Sequence, residues 1–161
     1  MQKILISIAL FILTACSMTT PAFQPSTMQT YALRLHPGQD LKLELQKFTE
    51  AHAIKAACIL TCVGSLQQST LRLANQSEYK VYPQKMEIVS LVGILSTEGS
   101  HLHVSLADST GVTIGGHLVE GSQIYTTAEI IIGIMPDYRF AREHDTVSGY
   151  KELKIYPSAK E

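Results

Sequence analysis

Gly99-Ser100-His101-Leu102-His103-Val104-Ser105-Leu106-Ala107-Asp108-Ser109-Thr110-Gly111-Val112-Thr113-Ile114-Gly115-Gly116-His117-Leu118 opens with strict alternation of polar and apolar residues, the period of a half-buried strand. Leu102, Val104 and Leu106 take one face, so His101, His103 and Ser105 share the other. The stretch Asp108-Ser109-Thr110-Gly111 suits a type I turn with Gly111 in the left-handed conformation, which makes a three-residue hairpin connection. Such a loop pairs Asp108 with Val112, and counting outward sets Ser105 opposite Gly115 and His103 opposite His117. Three imidazoles then meet on one face. Opposed residues have Cβ atoms about 5 Å apart, within reach of one cation held at about 2.0–2.1 Å from each nitrogen. A two-residue loop would send His117 to the other face, so the inference depends on Gly111. Three nitrogens leave a fourth position for water or substrate, the arrangement of a catalytic zinc. Glycine within a strand marks a bulge or a close approach, so Ser105, Gly115 and Gly116 are expected to form a small ligand platform beside the imidazoles. Without a metal, the same residues would be polar groups on a solvated or inter-subunit strand face.

Working outward, Tyr31 to His36 alternates like a strand and stops at Pro37-Gly38. Asp40 is a natural N-cap for a helix whose apolar stripe is Leu41, Leu45 and Phe48, with His52 facing solvent or complementing the helix C-terminus. Strands are expected at Ala56 to Val63, Ser69 to Leu73, Met86 to Leu95, Leu102 to Leu106, Val112 to Val119 and Gln123 to Met135, punctuated by Gly64, Pro83, Gly99, Gly121 and Pro136. One long helix followed by many short-looped strands argues an α+β fold with a largely antiparallel sheet. Ile130-Ile131-Ile132-Gly133-Ile134, apolar on both faces, reads as a central strand covered by the helix or by another subunit. Cys58 and Cys62, four residues apart in a strand, would stand roughly 13 Å apart, beyond the disulfide limit of about 7 Å. They read as small buried hydrophobes, with a metal or redox role as the alternative.

The amino terminus has a different character. Lys3 precedes an apolar run from Ile4 to Leu13, then Leu13-Thr14-Ala15-Cys16 resembles a bacterial lipobox. The run is about half the roughly 20 residues a membrane span needs. The expected layout is a lipoprotein signal peptide over residues 1–15, a lipid-anchored tether over 16–27 beginning at a lipidated Cys16, one domain over 28–156 and a tail over 157–161. Stable anchoring takes more than one acyl chain. Ser17, in place of Asp, resembles the pattern sorted to the periplasmic face of an outer membrane in the bacterial envelope. With 13 Lys and Arg against 14 Asp and Glu, a net charge of −1, there is no broad positive field for phosphate backbones, and no nucleic acid is expected as a partner.

With these residues in hand, the chain resembles the plants and prokaryotes conserved domain, long filed as a domain of unknown function and shared with plant AT-hook nuclear proteins. The likeness runs through Leu33 to Leu41, Gly64-Ser65-Leu66, Leu71-Arg72, Glu87 to Gly93, Gly99 to His103, Gly115 to Leu118, Thr127 to Ile130 and Phe140 to Glu143. It implies an antiparallel sheet flanked by helices, and a homotrimer whose subunits complete one another's surfaces. It also implies a distant similarity to acetolactate decarboxylase, a zinc enzyme whose histidine ligands match His101, His103 and His117. The plant proteins bind A·T-rich minor grooves through a separate Arg-Gly-Arg-Pro hook, which this sequence lacks.

Two functions follow as expectations. One is a trimeric ligand- or partner-binding module with a three-histidine metal site. The other is a zinc-dependent enzyme acting on a small carbonyl or carboxylate substrate, with Glu129 as acid or base and Arg142 as carboxylate anchor. The alternative role for Glu129 and Arg142 is a structural ion pair across a subunit contact; a DNA-binding role comes third, by family label only.

Overall fold

The computed structural model describes residues 25–158. The expected signal peptide, Cys16 and most of the tether lie outside them. Alternation turns into strands nearly everywhere it was read. In chain order these elements are β1 (Gln29–Leu35), α1 (Leu41–Ala51), β2 (Ala57–Arg72), β3 (Tyr79–Tyr82), β4 (Met86–Ser96), β5 (Gly99–Ala107), β6 (Thr113–Leu118), β7 (Gln123–Ile134), β8 (Tyr138–His144) and β9 (Lys151–Pro157). Seven of the strands form one antiparallel sheet, ordered β1-β7-β2-β4-β5-β6, with β3 on the far end of β2. That end of β2 also pairs with β6, so Leu71 faces Leu118 and Arg72 faces His117. The β2, β4, β5 and β6 strands thereby curl into a closed circuit.

The long β2 corrects the expectation of two strands broken at Gly64. Gly64 bends the strand instead of ending it: at φ +148°, its position would set a Cβ 2.1 Å from the Thr127 carbonyl oxygen. The β2–β7 register slips between Gly64 and Leu66, the signature of a bulge that turns a strand without breaking it.

Asp40 caps α1 as expected. Its Oδ1 accepts from the N–H groups of Lys42 and Leu43, each at 3.0 Å. Its Oδ2 accepts from those of Gly121 at 2.6 Å and Ser122 at 3.1 Å, which ties the helix start to the β6–β7 turn. Leu41 and Leu45 are fully buried and join Leu66, Leu95, Leu102, Leu106, Leu118, Ile124, Ile130 and Ile132 in one core. Phe48 packs its ring against Tyr31 and His52, and His52 is exposed with Nδ1 2.9 Å from the Phe48 carbonyl oxygen. Burying this many Leu and Ile side chains supplies the main drive for folding, about 1.5–3 kcal/mol each.

The expectation of several flanking helices is corrected as well. Among the described residues α1 is the single α-helix, and it covers one face of the sheet. The β8–β9 hairpin was not anticipated. It forms a separate two-stranded sheet, attached where the Phe140 N–H donates to the Lys55 carbonyl at 3.0 Å.

Candidate metal centre

The turn that aligns the histidines forms from its own side chain. The carboxylate Oδ1 of Asp108 accepts from the Thr110 N–H at 2.8 Å, the Thr110 hydroxyl at 2.6 Å and the Val112 N–H at 3.1 Å. Gly111 takes φ +84°, and the Asp108 N–H donates to the Val112 carbonyl at 3.0 Å. His103 then faces His117 and Ser105 faces Gly115, as the three-residue loop requires. Burial holds this register, because Leu102, Val104 and Leu106 lie at 1%, 3% and 0% exposure and a one-residue slip would turn all three outward.

His101, His103 and His117 each present a ring nitrogen, and these atoms lie within 4.8 Å of one another. His101 Nε2 and His103 Nε2 are 3.2 Å apart. Two ligands about 2.05 Å from a tetrahedral ion stand about 3.3 Å apart, so this pair already has the spacing of two ligands on one zinc-sized ion. His117 Nδ1 is buried without a hydrogen-bond partner, at a cost of about 1–3 kcal/mol. Burial first, then the Arg72 guanidinium and the other two imidazoles, lower the His117 pKa to about 4. Burial and then Arg142 push His101 below its ordinary value. Both rings are therefore neutral near pH 7, the form a metal needs. The donor set and spacing fit a divalent metal.

Beside the imidazoles opens a cleft of about 1180 Å³, bordered by His101 and His117, by Arg72 from the end of β2, and by Arg142 and Lys151 from the β8–β9 hairpin. The Arg142 Nη1 donates to the Lys151 carbonyl oxygen at 3.5 Å.

Other expected site residues fall elsewhere. Gly115 and Gly116 give close strand approach instead of an open platform: a Cβ on either would come within 2.9 Å of a carbonyl oxygen, of Val104 and Arg72 respectively. Neither they nor Ser105 border the cleft. Glu129 is exposed on β7 between Arg34 and Val63. Glu129 does not border the cleft beside the imidazoles, whereas Arg142 does. Cys58 and Cys62 are both free, and burial pushes the Cys62 thiol up to about 12, which leaves it unreactive. Arg72 and Lys151 were not read as site residues. Arg72 reaches the group through the β2–β6 pairing, a contact between positions far apart in the chain that no local pattern signals.

Fold and site together define a class: a curled antiparallel sheet with one packed helix and a hairpin-borne triad of histidines. Residues 22–136 match the Plants and Prokaryotes Conserved domain family, and the chain belongs to it. It is 47% identical, over 135 residues, to the bifunctional protein GlmU of a Synechococcus strain; the match covers 84% of this chain and 21% of that protein. The chain thus spans about a fifth of that relative's length. A solved structure of a hypothetical protein from Salmonella enterica is 40% identical with a TM-score of 0.82, covering 83% of this chain and 97% of that one. A metal-containing protein from Archaeoglobus fulgidus is 25% identical with a TM-score of 0.69, covering 81% and 99% respectively.

Proposed function

We propose that this protein is an exported, lipid-anchored ligand- or partner-binding module built around a divalent metal, zinc by its donor set, held by His101, His103 and His117. The observation that carries the reading is the 3.2 Å separation of the His101 and His103 nitrogens, set by a hairpin whose register brings His117 opposite His103. The metal-containing Archaeoglobus relative supports it. The test is cobalt substitution: purified protein loaded with cobalt(II) should develop the intense visible bands of a tetrahedral site, and His117→Gln should abolish them. Weak octahedral bands unaffected by that substitution would contradict the reading.

The lipid anchor rests on Cys16 and the apolar run before it, and it would hold the domain on the periplasmic face of the outer membrane. A homotrimer is the proposed assembly. Supporting it, the sheet strands β2 and β4 carry Leu60, Val63, Val89 and Val92 at 46–60% exposure, and Val92 neighbours His103 on the adjoining strand. Exposed apolar groups of this kind favour association.

One observation favours a second reading, a zinc-dependent enzyme acting on a small carbonyl or carboxylate substrate. The cleft opens directly beside His101 and His117 and has Arg142 in its wall. A bound zinc supplies Lewis acidity toward a carbonyl or an activated water; Arg142 would anchor the substrate's carboxylate.

A further inference from the structure

The cleft holds charge that neither the fold nor the metal ligands use. Arg72, Arg142 and Lys151 border it, against the carboxylates of Glu98 and Glu152. Among the described residues the one ion pair within 4.0 Å joins Lys47 to Glu44 on α1, so neither guanidinium is matched by a carboxylate in contact. Both arginines are half-buried, and a partly desolvated guanidinium without an anion carries an uncompensated cost. They come from different elements: Arg72 ends β2, and Arg142 lies on β8. Arg142 keeps a single 3.5 Å contact from Nη1 to the Lys151 carbonyl, and Arg72 has no side-chain hydrogen bond among the described residues. Their planar donor forks are free to take oxyanions bidentately. The two glutamates offset part of the positive charge, leaving an excess of one among these five groups.

We propose that this cleft binds a small oxyanion carrying two negative charges, a dicarboxylate or phosphate-type group, gripped by Arg72 and Arg142 with Lys151 at the rim. The proposal deepens the metal reading, since such a ligand would lie in the cleft that His101 and His117 also border. The two arginines make the grip whether or not a metal is present.

The probe is sulfate, a compact dianion that does not strip zinc, titrated calorimetrically into the purified protein with chloride at matched ionic strength as the monoanion control. Zinc content is measured on the same samples. Saturable sulfate binding is expected, with chloride failing to compete. Arg142→Gln should weaken it about tenfold, as expected for loss of a charge-assisted hydrogen-bonding group. Lys151 is exposed, so Lys151→Gln should weaken binding severalfold without disturbing the fold; it decides the matter if the arginine variant does not fold. Absent saturable binding, or affinity unchanged in both variants, would overturn the proposal. Zinc bound without sulfate would sink the anion site and leave the metal reading standing, whereas sulfate bound without zinc would do the reverse.

Discussion

At Gly111 the backbone sits at φ +84° with open space where a side chain would go, so any substitution there is resisted by conformation alone. Gly111→Ala should cost about 1 kcal/mol in urea unfolding, the penalty for placing an L-residue in the left-handed region. An unchanged midpoint would mean that the turn is not what fixes the hairpin. His117 makes a second prediction. Its folded pKa is lowered to about 4 from 6.5, so between these values the unfolded chain binds more protons than the folded one. Stability of the metal-free protein should therefore fall as pH drops through that window and be least sensitive above it. Urea midpoints across the window, wild type beside His117→Gln, check this; the variant should show a shallower fall. The three histidines were legible because alternation, a turn glycine and a residue count suffice to pair neighbours along one hairpin. Arg72 was not, because its place opposite His117 depends on a long strand bending back to meet a strand more than forty residues later.

Among the elements, β4 bears directly on the site. Gly93 has φ +143°, and a Cβ there would lie 2.0 Å from the carbonyl oxygen of His101. Gly93→Ala should cost about 3 kcal/mol or more, combining overpacking with backbone strain, and should weaken metal binding by displacing His101; stability and metal retention, measured together, should fall together. Asp40 links α1 to the β6–β7 turn through four N–H groups. Asp40→Ala should destabilise by about 2 kcal/mol, read by chemical denaturation. The helix was legible in its cap and stripe. β2 was misread because Gly64 looks like punctuation in a sequence and acts as a bend in the sheet. The β8–β9 hairpin escaped because charged residues interrupt its pattern, although Phe140 is buried within it. Its turn is built from Asp145, whose Oδ1 accepts from the Val147 and Ser148 N–H groups, with Gly149 at φ +77°.

For the whole molecule, the open apolar residues on β2 and β4 and the three histidines lie on strands of one sheet, so the proposed assembly surface and site are expected to be neighbours. Sedimentation of the wild type should give a trimer, and Val63→Lys should shift it toward monomer while leaving the fold intact, because Val63 is 60% exposed and contributes little to the core. Among the described residues no helix is long and apolar enough to cross a membrane. Elemental analysis of the purified protein beside His103→Ala, before and after chelation, tests the proposed three-histidine metal site most directly. Near-stoichiometric zinc in the wild type, lost in the variant and on chelation with a matching fall in thermal stability, is the result predicted; metal-free wild type whose stability chelation and the substitution leave unchanged would contradict it.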